Sequence, residues 1–287
     1  MKIKYSIINK LANLGRVEME LFFYLIEKQN QNTGIVEGVY YRDAIKSTNM
    51  VKQSFYNALK GLESKDVIKI TRNSNVDYDI YIVGNEFPNK ESFNEGYVNI
   101  RRGAFSSKKF KGLKAHEKYM LLEFLKCTHE NRGSMRRNVK EFYEKWKELF
   151  GVTERVIRGY LHNLRTFFSI CIIKGIYYIT YRHSEFKVPN GLPAELWVAE
   201  EQLIRKECHR NKIREITDKA VKDVTDLIKQ HKEQFGSREL VKAHLMKAIE
   251  ESVLDLRPKD RTLSPAYVHK ILLKHLDMEL KKNTSLA

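Results

Sequence analysis

The sequence predicts an α+β fold, mainly α, in which one order of elements occurs twice and an all-helical third follows. Three observations carry this expectation. First, Thr153–Phe168 read at helical spacing sets Arg155, Arg158, His162 and Arg165 along one face and Val156, Ile157, Tyr160, Leu161, Leu164, Phe167 and Phe168 along the other. Second, a shift of 102 carries Leu59 to Leu161, Leu62 to Leu164, Ile68 to Ile170 and Ile70 to Ile172, so the apolar positions of an earlier helix and strand recur in phase. Third, residues 190–287 hold only helical seams.

Taken in order, Arg16–Gln29 carries Val17, Leu21, Phe22, Leu25 and Ile26 at helical spacing and predicts a first helix. Gly34 and Gly38 lead into a short strand at Val39, Tyr40 and Tyr41, and Asp43–Ser47 is a short second helix. Thr48 or Asn49 suits the cap of a third helix, Met50–Ser64, which buries Phe55, Leu59 and Leu62 and turns Lys52, Gln53, Tyr56, Asn57 and Lys60 outward. Val67–Thr71 and Tyr78–Val83 alternate around the polar Arg72, Asn73, Ser74 and Asn75, a hairpin. The second series runs through an apolar-striped helix at Ala115–Thr128, a short helix at Phe142–Phe150, a third helix capped by Thr153, and a hairpin over Ser169–Tyr181 that turns at Gly175.

This order of helix, short strand, two helices and hairpin resembles the winged helix, and Leu59–Arg72, LKGLESKDVIKITR, is similar to that family's passage from recognition helix to wing. The resemblance implies two tandem winged-helix domains, 1–88 and 97–186, joined by the polar linker Pro88–Gly96 and followed by a C-terminal helical domain at 190–287. Winged helices also serve as protein-protein modules, so the likeness bears on fold more than on function. Two such domains with basic linking segments are also similar to iteron-binding plasmid replication initiators, and YVNIRRGAFSSKKFKGLKAHEKYMLLEFL, from Tyr97, is similar to plasmid or phage initiators of low-GC Gram-positive bacteria. That second resemblance covers about 180 residues and implies a DNA-binding protein with no catalytic residues of its own.

In the C-terminal third, Ile213, Ile216, Ala220, Val224, Leu227 and Ile228 form one seam, stopped at Gly236. Ser237 caps a helix with Leu240, Val241, Leu245, Ile249 and Val253, and Ser264-Pro265 opens a last helix with Val268, Ile271, Leu272, Leu276 and Leu280. An initiator would use these helices to recruit host replication machinery, and a transcription regulator to form a homodimer.

Lys and Arg number 52 against 36 Asp and Glu, a net charge of +16, which points to a polyanionic partner. Ribosomes and anionic membranes account for the total equally well; local arrangement favours double-stranded DNA. No run approaches a membrane span, and the first residues lack a signal-peptide core, so a cytoplasmic location without membrane partners is expected. Cys127, Cys171 and Cys208 stand singly, which argues against zinc or a disulfide framework and for packing as small apolar side chains. No phosphate loop, dinucleotide turn or metal-nucleophile set occurs, so neither an enzyme nor a cofactor is expected.

The expected DNA contacts come from the third helix of each series. Arg155 and Arg158, and Lys52, Gln53 and Asn57, are placed to reach base edges, with Tyr56, Lys60, His162 and Arg165 on the same faces. The hairpin tips, Arg72 and Asn73 in one and Lys174 in the other, would meet flanking backbone. Arg101, Arg102, Lys108, Lys109 and Lys111, with Arg136 and Arg137, would fix the register on phosphates. The competing class is a protein-protein scaffold built on the same fold.

Overall fold

In the computed structural model, residues 1–73, 76–89, 91–101, 103–130, 134–182, 186 and 194–285 are described. The fold is α+β and mainly helical, with three small sheets. Contacts group the chain into two compact units, one of Met1–Ile35, Ala44–Lys69 and Tyr81–Leu192, the other of Val36–Asp43, Ile70–Ile80 and Pro193–Ala287.

The first series begins with β1 (Lys2–Lys4), α1 (Tyr5–Lys10) and α2 (Arg16–Lys28). It continues with β2 (Ile35–Val39), α3 (Tyr41–Thr48), α4 (Lys52–Ser64), β3 (Ile68–Asn73) and β4 (Tyr78–Ile82). A connecting segment holds β5 (Tyr97–Asn99), α5 (Gly103–Ser106) and α6 (Lys108–Lys111). The second series is α7 (Ala115–Glu130), β6 (Ser134–Asn138), α8 (Val139–Phe150), α9 (Glu154–Leu164), β7 (Phe168–Ile173) and β8 (Ile176–Tyr181).

The two series share more than element order. Their sheets have the same strand sequence, β2-β4-β3 and β6-β8-β7. The buried residues of α4 are Phe55, Ala58, Leu59 and Leu62, and those of α9 are Ile157, Tyr160, Leu161 and Leu164, each pair separated by 102. Between α3 and α4, and between α8 and α9, the chain turns through three residues whose first is left-handed, Asn49 (φ 58) and Gly151 (φ 62), again 102 apart. Upstream, α2 to α7 and β2 to β6 are shifted by 99 instead (115 − 16 and 134 − 35), because α8 is longer than α3. Asn49 therefore closes α3, its N–H bonded to Ile45 O at 2.8 Å, and does not cap α4. The residue before α4 is Val51, which offers no side-chain cap, and Thr153 before α9 makes no cap bond either.

Other boundaries moved for local reasons. The helix expected to run to Phe168 stops at Leu164, Phe167 lies in the turn, and Phe168 opens β7 as a fully buried residue. Val17 and Val156, expected in apolar faces, are exposed. Both stand in the first turn of their helices, ahead of the buried positions that begin at Met19 in α2 and Ile157 in α9.

The segment 97–114 is anchored as well as basic. Phe105 and Phe110 are buried, and each meets the Phe23 ring of α2 edge-on, at 4.5 and 4.7 Å. Beside them Lys118 of α7 is buried and ion-paired with Glu20 of α2, its Nζ 5.2 Å from the Phe110 ring centre. Burial pushes the Lys118 amine below its ordinary value, and Glu20 opposes that shift. The pair β1–β5, Lys2 to Asn99 through Lys4 to Tyr97, joins the first strand to the same segment. Buried amides serve the backbone of β1: Lys2 N–H donates to Gln31 Oε1 at 2.7 Å, and Lys4 N–H to Asn85 Oδ1 at 2.9 Å.

The last helices are α10 (Ala194–Arg210), α11 (Asp218–His231), α12 (Arg238–Glu251) and α13 (Pro265–Ser285). Ile204, Val224, Ile228, Val241, Leu245, Ile249, Val268 and Leu272 share one core. Thr217 and Ser237 cap α11 and α12 with side-chain hydrogen bonds. His275 packs inside this bundle near Glu251, and the half-buried His269 sets its Nε2 2.9 Å from His231 Nε2. Within the same unit, α10 binds the first series. Lys206 Nζ reaches Glu37 at 2.9 Å and Asp79 at 3.5 Å, His209 Nε2 lies 2.7 Å from Asp43, and Arg210 grips the fully buried Asp77 with two bonds of 3.0 Å. Gly38 (φ 60) permits that approach, since a Cβ there would sit 2.3 Å from Lys206 Cβ. No helix among the described residues is long and apolar enough to cross a membrane.

Candidate nucleic-acid interface

Helix α9 owes its geometry to its inner face. Ile157, Tyr160, Leu161 and Leu164 are buried, which fixes the rotation of the helix and leaves Arg155, Arg158, His162 and the following Arg165 exposed. The four basic side chains expected on one face are therefore on one face. They are not equivalent. Arg158 donates to Glu154 Oε1 at 2.6 Å one turn earlier, and its guanidinium carbon lies 5.8 Å from the Tyr143 ring centre. Hydrogen bonds to Glu154 and Tyr143 raise its already high pKa. Part of its donor fork is thus engaged, whereas Arg155 and Arg165 carry no such brace.

An open cleft of about 500 Å³ runs beside this face, lined by Arg158, Leu161, His162 and Arg165 of the helix and its end and by Ile170 and Tyr177 of the hairpin. Its floor is stiffened where the hydroxyls of Tyr143 and Tyr177 meet at 2.6 Å. Burial, then the bond to Tyr143, pushes the Tyr177 phenol up, so it stays neutral. The hairpin beyond turns in two residues, Lys174 (φ 48) and Gly175 (φ 75), the positive pair that suits a tight antiparallel turn. Lys174 is exposed at that tip and is the single charged residue of 168–181.

His116 braces α9 from behind. Its ring stacks on Phe150 at 4.2 Å, and Nδ1 lies 3.3 Å from Tyr160 OH. Burial lowers its pKa. The unfolded chain therefore binds this proton first: stability is full above the ordinary value of about 6.5 and is lost as pH falls toward the lower folded value. Thermal melts followed from pH 8 to pH 5 are expected to show this loss, and His116→Gln to reduce it. His269, lowered by burial and by His231, contributes in the same direction.

Arg136 and Arg137 are exposed neighbours on β6, yet alternation places them on opposite sheet faces. Arg136 lies over Tyr178 at 5.4 Å, and Arg137 borders a separate cavity with Glu123 and Glu141. They do not share a face. In the connecting segment, Arg101, Lys108, Lys109 and Lys111 are exposed, with Lys111 Nζ bonded to Ser47 O at 3.0 Å. Arg102 lies outside the described residues, as do the side chains of Arg72 and Asn73.

On α4, Lys52, Gln53, Asn57 and Lys60 are exposed and Tyr56 is half-buried. Gln53 Nε2 donates to Asn57 Oδ1 at 2.9 Å, so these two amides face each other along the helix. Sequence reasoning missed Glu154, whose four-residue spacing to Arg158 was a readable signal, and Tyr143, which had none. It also placed all three cysteines inside. Cys127 and Cys208 are buried, with burial raising both thiols, but Cys171 is exposed because it shares the outward face of β7 with Ser169 and Ile173, opposite the face of the buried Phe168. No group of three or more histidine, cysteine or carboxylate side chains suited to a metal ion occurs among the described residues. Compared with known protein families, with characterised proteins and with solved structures, the chain matches none.

Proposed function

We propose that the chain is a non-enzymatic, sequence-specific double-stranded DNA-binding protein of tandem winged-helix architecture, similar to replication initiators or transcription regulators. The observation that carries this reading is α9: one face buried, the other an exposed row of Arg155, Arg158, His162 and Arg165 beside an open cleft. An isolated helix of this kind fits a major groove, where arginine pairs with guanine through two donors. The recurrence of the whole series, with the same strand order and the same left-handed turn, supplies a second helix, α4, whose Gln53 and Asn57 suit adenine. Lys108, Lys109 and Lys111 suit phosphates.

The two helices divide the work. The second series supplies more of the affinity, having the more basic helix. The first adds discrimination, since its helix carries the more varied polar surface of Gln53, Tyr56, Asn57 and Lys60. In the competing reading the first series contacts protein while the second binds DNA.

Selection of bound duplexes from a random pool tests the proposal. An enriched site is expected, with affinity falling linearly in log-log terms as salt rises. Absence of any enriched sequence, together with negligible binding at physiological salt, would leave the scaffold reading standing. Direct repeats in the selected sites would indicate an initiator, and inverted repeats a regulator.

A further inference from the structure

Strand β7 is the outer strand of its sheet, and its pairing with β8 determines which backbone groups it leaves open. The two-residue turn makes Ile173–Ile176 a hydrogen-bonded pair, so Cys171–Tyr178 and Ser169–Thr180 are bonded likewise. The same alternation appears one step further along, where Arg182 N–H donates to Phe167 O at 2.9 Å. Ile170 and Ile172 therefore direct their N–H and C=O groups away from β8, off the sheet. Natural edges are blunted by lysine, proline or a bulge. Phe168–Ile173, FSICII, has no charge, proline or glycine, and Ile172 and Ile173 are 54% and 53% exposed.

We propose that this edge is a dimer seam, on which β7 of a second copy of the chain adds antiparallel, centred on Cys171. With a two-fold axis at Cys171, Ile170 of each copy stands opposite Ile172 of the other, and the outward groups of both residues bond reciprocally. Cys171 meets its own counterpart as a non-bonded pair, and Ser169 stands opposite Ile173. From Ser169 to Ile173 every cross-seam neighbour is apolar or small, and Lys174 falls opposite Phe168, so the net charge of the chain places no like charges across the join. A polyanion gains nothing along this strand. The result is one sheet of six strands, with Ile172 of each copy brought beside the other's Ile170 at the margin of the cleft. The seam covers few side chains, far short of the roughly 1,200–2,000 Å² of a stable interface, so the dimer is weak and reversible.

The test needs no DNA and stands or falls apart from the function proposed above. Sedimentation equilibrium of the full chain in reductant, across the micromolar range, is expected to show a monomer-dimer equilibrium. Ile172→Lys, at a position more than half exposed, is expected to keep the circular dichroism melt and to weaken the dimer by about tenfold or more, each tenfold being about 1.4 kcal/mol. Ile173→Lys is the second variant should the first not fold. Cys171 reports the register. A non-bonded antiparallel pair has Cα atoms about 4.5 Å apart, within the roughly 4.4–6.8 Å that a disulfide spans. Mild oxidation should therefore yield a peptide linked Cys171 to Cys171, lost in Cys171→Ser, while the buried Cys127 and Cys208 stay unlinked. A monomer at every concentration overturns the proposal. So does a dimer that both lysine variants leave intact, which would place the contact elsewhere, the C-terminal helices included, and so does a Cys171 link that forms as fast in Ile172→Lys, which would reflect collision.

Discussion

Alanine at both Arg155 and Arg165 is expected to weaken binding to the selected duplex by about 2–6 kcal/mol, two base contacts of about 1–3 kcal/mol each. These two are the right pair to change, because Arg158 is braced by Glu154 and Tyr143 and its fork is only partly available. Both side chains are exposed, so thermal stability should stay within about 0.5 kcal/mol of the parent. Fluorescence anisotropy on the selected duplex and on a scrambled one, at one salt concentration, separates base reading from phosphate attraction. A loss of equal size on both duplexes would assign the arginines to the backbone and end their role as readers.

Glu20→Ala is expected to destabilise the protein by about 3–5 kcal/mol, the usual consequence of removing one partner of a buried ion pair. Lys118 is 1% exposed and is held between α2 and α7, so its ammonium would lose its counter-charge without gaining water. Urea unfolding measures the effect. Replacing both partners with methionine should recover much of it, since the buried charge is then gone as well. If Glu20→Ala changed stability by less than about 1 kcal/mol, the pair would count as no more than a surface salt bridge.

The contrast between these residues explains what the sequence could disclose. Helices α2, α4, α7 and α9 were legible because each repeats apolar residues at helical spacing, and the outward position of Arg155, Arg158, His162 and Arg165 follows from the same periodicity. The shift of 102 was legible because core residues are periodic in both series. Strand β1 was not, since three residues carry no period and their partners lie 93 to 97 positions away. Nor was the left-handed turn at Asn49, where a residue suited to a helix cap serves instead as a helix stop. The pairing of Lys118 with Glu20 joins positions 98 apart and leaves no local trace. Cys171 was misplaced for a different reason: FSICII is apolar on both faces, so composition hides the alternation that sets Phe168 inward and Cys171 outward.

The grip of α10 on Glu37, Asp43, Asp77 and Asp79 bears on how the chain comes into being. Lys206 and Glu37 are separated by 169 positions, and Arg210 and Asp77 by 133. During synthesis those carboxylates emerge long before the cations that complete them. Contacts so distant in sequence carry a loop-closure penalty that only the finished bundle repays. The second series, whose helices and hairpin contact one another within about 70 residues, can close as soon as it leaves the ribosome, so the first series, though made before the second, is completed after it.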